Sequence, residues 1–159
     1  MSSQKLLARC LLLLLVSTAS SQQKQHSAVL PHSVVLPQSA GKAGNPKPFS
    51  YDTNLGTWAP SEAEIDGLEA NLLQISGMKL KGWPSSMQIQ HPDFYYRQYV
   101  GATANRKKLI FVNAFCQDPP PQTWKSQIYV VADGGTCFWQ ALYDPATKQF
   151  SNLTINGRG

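Results

Sequence analysis

Beyond residue 58, the side chains best suited to covalent chemistry are Cys116, Cys137 and His91. A thiolate beside an imidazole base is the minimum for nucleophilic acyl transfer, and the thiol needs a cationic or helix-terminal neighbour to ionise near neutral pH. Cys116 lies between Phe115 and Gln117, Cys137 lies between Thr136 and Phe138, and His91 precedes Pro92 in "QHPDF". None of these settings marks an activated thiolate. No catalytic residue is assigned, and a small thiol-dependent or hydrolytic enzyme using Cys116 or Cys137 with His91 is the alternative reading. His91 and Asp93 offer two ligands in a loop, fewer than the about four that close a protein metal site. No metal and no cofactor is expected.

Asp133-Gly134-Gly135, inside "YVVADGGTCFWQALYDPATKQF", raises a second chemical question. A phosphate cradle joins a strand to a helix whose N-terminal amides face the anion. Here the flanks on both sides read as strands, so the glycines are expected to supply the positive φ angles of a tight hairpin. "DPATK" likewise reads as a turn, opened by Asp144 and Pro145.

The elements that must position these residues begin after a leader. "MSSQKLLARCLLLLLVSTASSQQ" carries Lys5 and Arg9, an apolar run from Cys10 to Val16, and then small residues. That is the order of a secretory signal peptide spanning residues 1–21, with cleavage expected after Ala19 or Ser21. The run is far shorter than the ~20 residues of a membrane span, so no retained membrane segment is expected. The protein is read as secreted or periplasmic. Loss of Lys5 and Arg9 takes the basic count from 14 to 12 against 9 acids, a mature charge of about +3. Nucleic acid is not an expected partner, because Arg106-Lys107-Lys108 reads as one solvated turn rather than a broad basic surface.

Residues 22–57 read as a Pro/Ser-rich disordered tether. "SAVLPHSVVLPQS" is a doubled proline-containing motif, and Pro31, Pro37, Pro46 and Pro48 oppose helix. His26 and His32 fall within it as polar spacers. A single α+β domain is then expected over residues 58–159. "PSEAEIDGLEANLLQIS" pairs Ser61 with Glu64 as a capping box and aligns Ile65, Leu68, Leu72 and Ile75 on one face, which predicts an amphipathic helix of about four turns ending near Gly77. "FYYRQYVGA", "KLIFVNAFC", "SQIYVVA", "TCFWQALY" and "QFSNLTI" are rich in β-branched and aromatic residues and are separated by turn chemistry. The expected fold is one amphipathic helix packed on an antiparallel meander of about five strands.

That order bears on the cysteines. An even pair in an oxidising compartment favours a Cys116–Cys137 disulfide. In the plain meander, however, Cys116 ends the second strand and Cys137 begins the fourth, at opposite ends of the sheet. Either the thiols stay free, or "QDPPPQTWK" carries the chain across before the next strand starts.

"YYRQYVG", "KKLIFVNAFC" and "VVADGGTCFWQALYDPATKQFSNLTINGRG" resemble the C-terminal block of a family of small uncharacterised exported bacterial proteins. The resemblance covers Phe94 to Gly157 and brings no activity with it. More loosely, a helix across an antiparallel meander is similar to cystatin-like and PepSY-like modules, which implies binding or restraint of other proteins. Asn152-Leu153-Thr154 has the form of a glycosylation sequon; the resemblance to bacterial proteins makes it incidental in a strand, and a eukaryotic source would reopen it.

In "KLIFVNAFC", Leu109, Phe111, Asn113 and Phe115 alternate with Ile110, Val112, Ala114 and Cys116, so both faces of that strand are largely apolar. One helix covers one face. The second cover is either the protein itself, through "KPFSYDTNLGTW" and "MKLKGWPSSMQI", or a partner lying on an aromatic sheet face. For the latter, Tyr99, Phe111 and Trp139 are the expected anchors, with Trp124 and the Pro119–Pro121 loop at the rim. This makes the chain an exported, non-enzymatic binding or inhibitor-like module whose partner is an exported or envelope protein. Self-association through the same face, as a homodimer, is a further alternative.

Overall fold

A computed structural model describes residues 32–41, 53–80 and 82–157. The expected leader, residues 1–21, lies outside the described residues, as does the part of the expected tether over 22–31 and 42–52. The fold is α+β. Its strands are β1 (Ser33–Val35), β2 (Asn54–Leu55), β3 (Tyr96–Ala104), β4 (Lys107–Phe115), β5 (Phe138–Asp144) and β6 (Gln149–Ile155), and its α-helix is α1 (Glu62–Ala70).

The six strands form one mixed sheet in the order β1-β3-β4-β5-β6, with β2 also paired to β3. β3 to β6 form an antiparallel meander, while β1 runs parallel to β3, with Ser33 opposite Arg97 and Val35 opposite Tyr99. Two expectations are corrected here. The segment read as a tether supplies two strands, because Ser-Val-Val between prolines is extended, β-branched chain that can satisfy its backbone along the free side of β3. "SQIYVVA" is not a strand. β4 pairs directly with β5, and residues 126–132 run as irregular chain over the sheet.

The helix is shorter than its apolar periodicity predicts. Its capping box forms as expected: Ser61 N–H donates to Glu64 Oε2 at 2.7 Å, and Glu64 N–H donates to Ser61 Oγ at 3.4 Å. Ser61 Oγ also donates to Glu64 Oε2 at 2.6 Å, and this bond, with the Ser61 N–H bond and the Lys108 charge behind it, holds the Glu64 carboxyl below its ordinary pKa. The α-helix stops at Ala70 because Asn71 folds its side-chain amide onto Gly67 O at 2.8 Å, and its own N–H tightens onto Leu68 O. The chain continues as a 3-10 helix, Leu72–Gly77, which still delivers Leu72 and Ile75 to the core.

The core has a helix side and a second side. On the helix side Leu68, Leu72, Ile75, Leu80 and Ile89 pack on Tyr99, Ile110, Val112, Ala114, Trp139 and Ala141. On the second side Leu36, Ala40 and Ile128 cover Val100, Ala102, Leu109, Phe111 and Leu142. Gly101 lies where the chain at Trp58 crosses β3 so closely that a Cβ would stand 2.0 Å from Trp58 O. At the outer strand β6, Gln74 donates to Lys148 O at 3.0 Å and accepts from Phe150 N–H at 3.2 Å. Further along β6, Asn152 and Leu153 oppose Ala141 in a bulge, with Asn152 at φ 54°.

Candidate functional site

The structure separates the four expected anchors. Tyr99 and Trp139 belong to the helix-side core, Phe111 to the second-side core, and Trp124 to a third cluster with Phe115 and Phe138. All four are buried, with Tyr99, Phe111 and Trp139 at 0% exposure. They therefore do not form one exposed aromatic face. Strand alternation explains the split: 99 and 139 register with even positions of β4, and 111 with the opposite parity.

The aromatic excess is spent on the chain between β4 and β5. Trp124 sits edge-on to Phe115 at 6.1 Å and to Tyr96 at 5.4 Å, and Tyr129 is edge-on to Phe115 at 5.0 Å. The proline-containing segment, expected as a rim, is thus the lid itself. Its underside is held by a row of carboxamides that sequence reading passed over. Asn113 Nδ2 donates to Gln98 Oε1 and to Tyr129 O, each at 2.8 Å. Gln98 Nε2 donates to Trp124 O and, at 2.7 Å, to Gln127 O, while its Oε1 also accepts from Tyr129 N–H at 2.8 Å. Gln140 Nε2 continues the row to Asn113 Oδ1 at 3.2 Å and Asn156 Oδ1 at 3.0 Å. The amides behave as an extra strand edge for a segment that has no ladder of its own. The legible signal was a polar residue at the inward position of three successive apolar strands.

Cys116 and Cys137 are disulfide-bonded with Cα atoms 5.0 Å apart. The topological objection to the bridge rested on a strand that does not form: with β4 beside β5, the two cysteines fall just past paired ends, and Cys116 N–H donates to Cys137 O at 2.9 Å. Closed in this way, neither sulfur is a free nucleophile, and His91 stacks on Phe94 at 5.0 Å. Asp133-Gly134-Gly135 does carry positive φ angles, 110° and 54° at its glycines, but it leads from irregular chain into a 3-10 turn, Gly135–Cys137, rather than closing a hairpin. A Cβ at Gly134 would meet the Phe138 ring at 2.3 Å. Among the described residues no three His, Cys, Asp or Glu side chains converge to hold a metal ion, and no helix is long and apolar enough to cross a membrane.

Covering of the second side is incomplete. Between the β3–β4 turn and the β5–β6 turn lies a hollow of about 520 Å³ with Leu109 and Leu142 as its apolar floor. Asn105, Lys107, Thr147, Gln149, Ser151 and Asn152 stand around it. A smaller hollow of about 310 Å³ continues along the same face over Phe111, Asn113, Gln140 and Thr154, beneath Ile128 and Val130. Both turns beside the larger hollow are fixed. Asn105 and Arg106 hold φ of 49° and 63°, and Asp144 Oδ1 accepts from Ala146 N–H at 2.9 Å and Thr147 N–H at 3.3 Å. The two hollows follow one another along this face as a trough with an apolar floor and a rim of hydroxyl, amide, ammonium and, at Asp144, carboxylate side chains.

No family model matches the chain, and neither does any curated protein or any solved structure.

Proposed function

We propose that the chain is a small exported, non-enzymatic binding module that recognises its partner through the trough on the second side of the sheet. The observation that carries this reading is the open stretch between the two turns, where an otherwise covered face presents hydrogen-bonding side chains around Leu109 and Leu142. A concave site with an apolar floor and a few convergent polar groups is the usual form of a recognition site. Of the expected anchors, Phe111 alone contributes to the trough, as floor of its smaller hollow. Export is supported by the leader-like N-terminus and by the disulfide, which persists in oxidising compartments. A helix across a mostly antiparallel sheet, as in cystatin-like modules, agrees with a binding role at the level of architecture alone.

The test is to block the trough without disturbing the core. Ser151 is exposed on β6 and lines the larger hollow, so Ser151→Trp should fill it and leave the melting temperature unchanged. Exported and envelope fractions are passed over the immobilised full chain and the variant. Retention by the wild type and its loss in Ser151→Trp supports the reading; equal retention by both overturns it.

A further inference from the structure

The end of the sheet that holds the larger hollow is also its basic end. Arg106 and Lys107 lie in and after the β3–β4 turn, and Lys148 closes the β5–β6 turn at φ 57°. Side chains on β4 alternate, so Lys107 and Lys108 part. Lys108 places its ammonium 5.2 Å from the Trp58 ring centre, whereas Lys107 lines the hollow and has no ion-pair partner among the described residues. The acidic group of the lining, Asp144, has an oxygen engaged by two turn amides. The rest of the polar lining is neutral and both donates and accepts, from Asn105, Thr147, Gln149, Ser151, Asn152 and Thr53. Thr53 has its Oγ1 shielded from solvent and without a hydrogen-bond partner among the described residues.

From this arrangement we infer that the hollow binds an acidic saccharide unit of an extracellular glycan, its carboxylate on Lys107 and its hydroxyls on the amide and hydroxyl rim. The inference rests on the trough being the recognition site and names its ligand class. Three features favour this chemistry over other anions. The lining contains no aromatic ring on which a nucleobase would stack. None of the exposed large apolar residues, Val35, Leu73, Phe94 and Val130, lines this hollow, so it lacks the greasy rim that would enter a lipid surface. An inorganic anion would leave most of the polar rim unused, whereas a sugar ring presents alternating donors and acceptors around an apolar C–H face that fits Leu109 and Leu142. The volume of about 520 Å³ falls within the roughly 300–1,000 Å³ of small-ligand sites.

The experiment titrates the full mature chain with tetragalacturonate, maltotetraose and inorganic phosphate at about 0.15 M salt, following backbone amide shifts. Saturable shifts at Asn105–Lys107 and at Thr147–Asn152 with tetragalacturonate are expected. So are at least a 10-fold weaker Kd in Lys107→Gln, loss of the shifts in Ser151→Trp and no change in Lys125→Gln, a basic residue remote from the hollow. Equal weakening by Lys107→Gln and Lys125→Gln would mean unspecific attraction of a polyanion and overturns the inference, as does an equal response to phosphate. Equal binding of maltotetraose at the same amides overturns the acidic ligand while leaving the trough as the recognition site. The absence of saturable shifts with any of the three overturns the inference, and retention from exported fractions by wild type but not Ser151→Trp then decides separately whether the trough reading stands.

Discussion

Arg97 and Glu69 form an ion pair between β3 and α1, with Arg97 Nη2 3.3 Å from Glu69 Oε2, and the pair is closed from the side by Tyr99. The Tyr99 hydroxyl donates to Glu69 Oε1 at 2.5 Å and accepts from Arg97 Nε at 3.0 Å. Arg97 Nη1 donates to the carbonyls of Asp93 and Tyr95 at 2.9 and 2.6 Å, so the guanidinium also fixes the chain entering β3. A helix that ends at Ala70 has little apolar stripe of its own, and this buried triad sets where it lies on the sheet.

Glu69→Gln should destabilise the fold by about 3 kcal/mol, because it leaves the Arg97 charge buried without its counterion. Tyr99→Phe removes one donor and one acceptor from the same group and should cost about 1–3 kcal/mol. Urea unfolding followed by fluorescence measures both, and the double variant should lose less than the sum, because the Tyr99 hydroxyl and the Glu69 carboxylate are joined by one hydrogen bond that either substitution weakens or removes.

Burial, and secondarily the Glu69 carboxylate, hold the Tyr99 phenol well above its ordinary pKa. The unfolded chain ionises this tyrosine near pH ~10 while the folded chain keeps it neutral. Its contribution to stability is therefore complete below that pH and is lost progressively as pH rises above it. Stability measured from pH 8 to 11 should fall more steeply in the wild type than in Tyr99→Phe; parallel slopes would show that Tyr99 titrates normally.

The disulfide closes the chain over a sequence separation of 21 residues. Reduction should cost about 3 kcal/mol, the range for loops of this length. The loss should be local first: the side-chain amides of Gln98 and Asn113, which hold the lid, should lose hydrogen-exchange protection before the amides of β4. Under non-reducing conditions thiol titration should find neither Cys116 nor Cys137 reactive.

Truncating Phe111 or Trp139 to Ala should destabilise the domain by about 3–5 kcal/mol each, as removal of fully buried aromatic side chains does. A melting series checks this. Variants that fold as well as the wild type would return these residues to the surface, where a recognition role for the rings themselves could be revived.

How much of this was legible in the sequence depends on the range of the interaction that decides each feature. The capping box, the Asp144 turn and the alternation of β4 are local, and "SEAE", "DPATK" and "LIFVNAF" state them directly. "SQIYVVA" has the composition of a strand, but Gln98 and Asn113 offer its backbone side-chain partners and Phe115 a surface for Trp124 and Tyr129, so tertiary contacts decide against a ladder. The flanking prolines dominate any local reading of Ser33–Val35, whereas its pairing depends on what β3 leaves unpaired on its outer side, which no local window contains. The trough escaped for a related reason. Asn105, Lys107, Thr147 and Ser151 read as two ordinary turns and a solvated strand until the β4–β5 pairing sets them around one hollow.

The bulge at Asn152 and the Gln74 clasp at Phe150 also bear on what the chain does in a crowd. A long flat outermost strand is a template on which a second copy can add, and such addition propagates into fibrils. Here the first rungs of that template are already occupied by Gln74, and a left-handed residue breaks the repeat after them. An incoming strand would find neither a continuous row of partners nor a flat surface along β6, so this edge resists the addition of a second copy.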